Sequence, residues 1–265
     1  MRSLHATTRS LRVAATFLLM SAAPLAAADN FQWHGSIAQG HTIEIKGVNG
    51  DVVAEPAGGN DVEVTAEKTA KRDDPAAVQI VVVPHDGDVT ICAVYPSKDS
   101  SRPNVCTPGD GGHMNVQNND VTVRFTVHVP ARVAFVGRTV NGGVQANRLN
   151  GDVALSTVNG SVAFSTTGRA HASTVNGSIH GEMGQADWSG TLKMSTVNGG
   201  IALTLPADLN TELKCTTVNG DIQTDFPVTV VGTMNRRKLE GTIGGGGRVL
   251  ALDTVNGNVS LKTAR

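Results

Sequence analysis

The chain has 265 residues, of which 40% are hydrophobic but only 3% aromatic, and its formal net charge is −1. That balance argues against a nucleic-acid partner, whose binding rests on clustered Lys and Arg. The scarcity of aromatic side chains predicts a thin core of Val, Ile, Leu and Ala.

Residues 1–28 read as a secretory signal. Arg2, Arg9 and Arg12 precede an apolar run through Phe17, Leu18, Leu19 and Met20, and Ala26-Ala27-Ala28 supplies the small residues of a cleavage site. The run is too short to span a bilayer, and no later segment is long and apolar enough for a membrane-crossing helix. The expectation is an exported chain, periplasmic or at the cell surface, with no membrane span. Cleavage after Ala28 removes basic residues and no acidic one, which makes the mature chain more acidic.

Residues 29–136 alternate in the manner of strands and carry few repeats. Between residues 120 and 129, Val121, Val123, Phe125, Val127 and Val129 are apolar and every intervening residue is polar or charged, the pattern of a half-buried strand. Val62 with Val64, Ile80 to Val83, and Val89 with Ile91 mark further strands, whereas residues 67–74 and 109–119 read as exposed loops. This part is expected to be an antiparallel β cap, because an open solenoid end pairs with other chains. In an oxidising compartment Cys92 and Cys106 are placed to form a disulfide closing residues 93–105; the other reading is a pair of buried thiols. Cys215, alternating with polar neighbours, reads as an inward core residue.

Residues 137–265 are dominated by one phrase. Thr-Val-Asn-Gly begins at Thr139, Thr157, Thr174, Thr196, Thr217 and Thr254, and a shorter Val-Asn-Gly begins at Val48. Such self-similarity marks stacked coils, none of which can bury its apolar face alone. Glycines at 142, 151, 160, 168 and 177 fall eight or nine residues apart, so a coil of about 18 to 22 residues holds two strands and two corners. The expected corners are Asn141-Gly142, Asn159-Gly160, Asn176-Gly177, Asn198-Gly199, Asn219-Gly220 and Asn256-Gly257. Gly takes positive φ freely and Asn tolerates it, which suits both to a turn. Val153, Leu155, Val162, Phe164, Ile201 and Leu203 are expected to face inward, with Ala154, Ser156, Ala163 and Ser165 toward solvent. Asn-Gly between alternating segments is also a hairpin signal, so an antiparallel meander is the rival. Parallel stacking is preferred because near-identical corners in register gain from Asn ladders. Val144 beside Val162 would mean coils; pairs mirrored about each Asn-Gly would mean hairpins.

These repeats, the stretch at residues 205–210 and the glycine-rich tail at residues 241–247 resemble a bacterial family of exported β-strand-repeat proteins, a domain of unknown function labelled putative adhesin. The resemblance covers most of the mature chain. It implies an all-β, β-solenoid or β-helix-like repeat region and no established enzymatic activity, catalytic residues or cofactor. The implied role is a structural or binding module of the cell envelope whose partner is an envelope or surface polymer or protein.

Constellations that could carry chemistry are weak. Asp51, Asp152 and Asp221 follow Asn-Gly and would form a calcium-stabilised roll only if stacking gathered them. His171 with His180, and His113 with His128, lack a third ligand at metal-site spacing. A polysaccharide-modifying site would need Glu182 and Asp187 in one groove, with Trp188 as a sugar-stacking surface and Arg169 one coil away. Arg236, Arg237 and Lys238 form a small basic cluster, and Gly244 to Gly247 lack the Lys-Ser/Thr of a phosphate loop. The threonine column would be an exposed, water-ordering ladder if it points outward, which alternation alone does not settle.

Overall fold

The computed structural model describes residues 30–230 and 235–264; the segment read as an export signal lies outside them. The first third holds β1 (Asn30–Ser36), β2 (Thr42–Lys46), β3 (Val52–Pro56), β4 (Asp61–Thr69), β5 (Gln79–His85), β6 (Asp88–Val94) and β7 (Thr122–Val129). The repeats follow as β8 (Ala134–Arg138), β9 (Val144–Leu149), β10 (Val153–Ser156), β11 (Val162–Thr166), β12 (Ala170–Ser173), β13 (Ile179–Met183), β14 (Thr191–Ser195) and β15 (Ile201–Leu205). The chain ends with β16 (Thr211–Thr216), β17 (Ile222–Thr224), β18 (Thr229–Val230), β19 (Lys238–Ile243), β20 (Val249–Asp253) and β21 (Val259–Thr263). Among the described residues the one helical turn is Pro75–Ala77.

Successive repeat strands alternate between two sheets. The first sheet runs β1-β4-β7-β3-β9-β11-β13-β15-β21-β17, the second β18-β19-β16-β20-β14-β12-β10-β8-β2-β6-β5. Every repeat strand pairs in parallel with its counterpart one coil away, and Val144 lies beside Val162. The chain therefore winds, and the meander is set aside. Each coil has two strands and two corners, as the spacing predicts. All Thr-Val-Asn-Gly corners share one edge of the flattened coil, where the chain passes from the second sheet to the first.

Two features depart from the linear reading. The coil starts before residue 137: β2 and β3 pair in parallel with β8 and β9, and Asn49 bridges Asn141. Stacking order also differs from chain order. Asn198 bridges Asn256, and Asn256 bridges Asn219, so the last coil, β20–β21, is wedged between β14–β15 and β16–β17. The wide gap between the last two copies of the phrase is the excursion through β17, β18 and β19 that makes room for it. At the other end β2–β3 is wedged in the same way between β6–β7 and β8–β9.

The edges left outside are mostly antiparallel. β4 covers β7 and β1 covers β4; β5 covers β6; β19 covers β16. The expected N-terminal antiparallel cap is thus present, with a counterpart in the second sheet at the far end. In the first sheet the far end is the three-residue β17.

Between the sheets lies one continuous apolar layer. Val153, Leu155, Val162, Phe164, Ile179, Leu192, Met194, Ile201 and Leu203 are all buried within it, while Ala154, Ser156, Ala163 and Ser165 stand half-buried outside. Two of the rings that enter this thin layer, Phe135 and Phe164, sit over glycines. A Cβ on Gly181 would lie 2.2 Å from the Phe164 ring, and one on Gly137 3.0 Å from Phe135. Residues 67–69, expected in a loop, complete β4 instead, because Lys68 turns its ammonium onto the Val78 carbonyl, 3.1 Å away.

Candidate functional site

Each residue of the repeated phrase has a separate physical task. The threonine is buried: Thr157, Thr174 and Thr196 donate from Oγ1 to the carbonyls of Gly142, Gly160 and Gly177, each at 2.8 Å. Thr139, Thr217 and Thr254 do the same to Gly50, Gly257 and Gly199. The column points inward, so it forms no exposed water-ordering ladder. The glycine is required by close approach. A Cβ on Gly160, Gly177, Gly199, Gly220 or Gly257 would lie 2.0 Å from a carbonyl oxygen of the adjacent coil. Of the six Thr-Val-Asn-Gly glycines only Gly142 has positive φ, and at 159° it is near full extension. None of the corner asparagines has positive φ, which corrects the turn-chemistry rationale.

The asparagines form a chain of amides. Asn141 donates from Nδ2 to Oδ1 of Asn49, Asn159 to Asn141, Asn176 to Asn159, Asn198 to Asn176, Asn256 to Asn198 and Asn219 to Asn256, all at 2.7–2.9 Å. Aligned amides polarise one another, and at the parallel-strand spacing this column is about 29 Å long. Beside it stand Val140, Val158, Val175, Val197, Val255 and Val218, exposed by 38–50%. An exposed valine in each of six coils is unusual when, among the described residues, every other large apolar side chain except Val105 is buried or half-buried. The corner bend breaks the inward–outward alternation and turns Val out where Thr turns in.

At the first coil this edge is roofed. Val48, the counterpart of the exposed valines, is only 9% exposed. The Cys92–Cys106 disulfide is formed, with a Cα–Cα distance of 5.7 Å, and the segment from Tyr95 to Val121 folds over the outside of β2. Lys46 fastens it by donating from Nζ to the carbonyls of Thr107, Gly109 and Gly111 at 2.8–2.9 Å. Glu44, buried beneath, accepts from Thr90 Oγ1 and the Gly109 N–H and pairs with Arg138 at 3.0 Å. Tyr95 donates to the Val121 carbonyl at 2.8 Å, and burial pushes its hydroxyl pKa up to about 12. Between this loop and the first corners lies a pocket of about 700 Å³, lined by Val48, Val105, Met114, Val116, Val140 and Asn141 among others. Neither the pocket nor the valine row was anticipated from sequence; the regular Val between Thr and Asn was its only signal.

The other predicted residues are not gathered into a site. Trp188 is buried, donates from Nε1 to the Val249 carbonyl at 3.2 Å and carries the Arg248 guanidinium 5.6 Å above its ring, so it offers no open sugar-stacking surface. Glu182 lies on the outer face of β13, and Asp187 is exposed in the following loop. Arg169 belongs to Asp152, which it meets through Nε at 2.8 Å and through Nη2. Burial raises the Asp152 pKa, but hydrogen bonds and charge from Arg169 outweigh it and hold the carboxyl below its ordinary value.

Asp51 and Asp221 follow corners at opposite ends of the column, and Asp152 lies on the other edge. Stacking therefore brings no two of them together. His171 and His180 sit in opposite sheets, while His128 pairs with Glu63 at 3.6 Å. Cys215 is buried in the core, where desolvation and the nearby Asp253 raise its thiol pKa to about 12. Gly244 to Gly247 form the turn between β19 and β20. No described helix is long and apolar enough to cross a membrane.

The model of the Toastrack DUF4097 family matches residues 41–262, and the chain belongs to that family. A crystal structure of a putative cell adhesion protein from Clostridium sporogenes is similar over 89% of this chain and 100% of its own, with a TM-score of 0.52 and 11% identity. A putative adhesin from Bacteroides fragilis covers 89% of this chain and 97% of its own, with a TM-score of 0.38 and 12% identity. At such identities the first of these likenesses speaks for the fold alone. No curated protein matches the chain.

Proposed function

We propose that this member of the Toastrack DUF4097 family is an exported, non-enzymatic binding module of the bacterial cell envelope, periplasmic or at the surface, and that the corner edge is its binding face. The observation that carries the reading is the row of six valines, each 38–50% exposed, in register with the asparagine amide chain. A contiguous apolar row rimmed by polar groups is what a soluble protein keeps when a partner covers it. Hydrogen-bonded coils hold the row rigid, so little conformational entropy is lost on binding. The Cys92–Cys106 bond favours an oxidising compartment. The burial of Trp188 and the commitment of Arg169 to Asp152 weigh against the polysaccharide-modifying alternative.

The test is co-sedimentation of the purified protein with isolated cell envelopes. Replacing Val158, Val175 and Val197 together by Ser is expected to weaken retention at least about tenfold, as loss of a central apolar cluster does. Glu182→Ala with Asp187→Ala should leave it unchanged. Retention that survives the serine variant, or that falls with the carboxylates, overturns the reading.

A further inference from the structure

Every inner corner of the stack is met, group for group, by the coil above it. Over the corner at Thr196 to Gly199, Asn256 donates from its backbone N–H to the Val197 carbonyl and from Nδ2 to Asn198 Oδ1, while Thr254 Oγ1 donates to the Gly199 carbonyl. In return the Gly199 and Ile201 N–H groups donate to the carbonyls of Asn256 and Asn258, both at 2.9 Å. The residue after a corner adds a side-chain acceptor for the next coil: Gly143 N–H bonds Asp51 Oδ1 at 2.8 Å, and Gly200 N–H bonds Ser178 Oγ at 3.2 Å.

At the corner at Thr217 to Gly220 the inward half of this pattern is complete, and of the outward half only the Thr217 N–H is met, by the Arg237 carbonyl at 2.9 Å. Among the described residues nothing meets the Val218 and Gly220 carbonyls, Asn219 Oδ1, the Gly220 and Ile222 N–H groups, or the Asp221 carboxylate. Here the first sheet ends on β17, whereas β19 closes the same end of the second sheet. Val218, with no coil beyond it, is 50% exposed against 38–40% for the other five valines.

We propose that the open corner and β17, residues 218–224, form a strand-addition site for an extended polypeptide of a partner protein, joined in parallel beyond Arg237 and carrying Thr-x-Asn-Gly in the register of the repeat. The segment's Thr hydroxyl donates to the Gly220 carbonyl, its Asn N–H and amide to the Val218 carbonyl and Asn219 Oδ1, and the N–H after its Gly to Asp221. Its Asn carbonyl and the carbonyl after its Gly accept from Gly220 and Ile222. Main-chain bonds supply the affinity of strand addition and the placed side chains its selectivity. The segment must have Gly at the fourth position, because each Thr-Val-Asn-Gly glycine from Gly160 onward has a carbonyl oxygen 2.0 Å from where a Cβ would stand. The six Thr-Val-Asn-Gly copies of this chain are already in the stack, so the segment comes from another molecule. The site lies at the end of the column and does not depend on the valine row being a binding face.

The probe is a peptide with the sequence of residues 196–205, which leaves the slot of Arg237 free, labelled with fluorescein at its C-terminus, titrated with the purified protein and read by anisotropy. Saturable binding with half-saturation below about 1 mM is expected. Asp221→Ala in the protein, whose side chain has no partner among the described residues, should weaken it about tenfold, as should Asn198→Ala in the peptide. Gly199→Ala in the peptide should abolish it. The serine variant of the valine row should bind the peptide as the parent does. Absence of binding at about 1 mM, or binding that Asp221→Ala or the alanine-bearing peptide leaves intact, overturns the proposal.

Discussion

Gly177→Ala tests the stacked-corner geometry most directly. The added methyl would lie 2.0 Å from the Gly160 carbonyl oxygen, 2.5 Å from its carbon and 2.9 Å from the Ser161 nitrogen, all backbone atoms. Relief to an ordinary contact of about 3 Å requires the coils to part by roughly 1 Å at this point. Four bonds cross the same gap: Gly160 N–H to Asn176 carbonyl at 3.0 Å, Asn176 N–H to Val158 carbonyl at 2.7 Å, Thr174 Oγ1 to Gly160 at 2.8 Å and Asn176 Nδ2 to Asn159 at 2.8 Å. Lengthening each by that amount takes it beyond hydrogen-bonding range. At a net 0.5–1.5 kcal/mol apiece the loss is about 4 kcal/mol. For a chain of this size that lowers the Tm by roughly 10 °C. Gly58→Ala is the control, since its Cβ would meet nothing within 4 Å. A Gly177→Ala protein melting within about 1 °C of the Gly58→Ala protein would refute the argument that glycine is demanded here by close approach.

Thr174→Val keeps the shape of the side chain but leaves the Gly160 carbonyl without its donor, and should cost about 1–2 kcal/mol in urea unfolding; Thr174→Ser should recover most of that. Reducing the Cys92–Cys106 bond releases a closed loop of sequence separation 14, with an expected loss of about 3 kcal/mol measured as a fall in Tm with dithiothreitol, which the Cys92→Ser, Cys106→Ser double variant should not show. Because Arg169 holds the Asp152 pKa below its unfolded value, the pair contributes stability above that unfolded value and loses it as pH falls through the folded one. Urea midpoints recorded from about pH 5 downward should therefore fall less steeply in Arg169→Ala than in the parent.

The Thr-Val-Asn-Gly phrase by itself marked a repeat and favoured stacked coils over the antiparallel meander, because near-identical corners in register gain from Asn ladders. Strand alternation likewise marked Val153, Leu155, Val162 and Phe164 as inward, and compartment logic paired Cys92 with Cys106. Three matters were decided only in the tertiary structure. Stacking order depends on which edges pair, and nothing in the phrase of residues 254–257 says that it will slip between two earlier coils. The direction of each corner side chain depends on the bend, which sends Thr in and Val out against the two-residue period. The end of the stack depends on what covers it: β19 closes β16 and the adjacent Arg237 carbonyl meets the Thr217 N–H, whereas the rest of the corner to Gly220, identical in sequence to its buried siblings, has its outward groups unmet among the described residues. A local sequence specifies which bonds a corner can make; only the packing of the whole chain specifies which of them it does make.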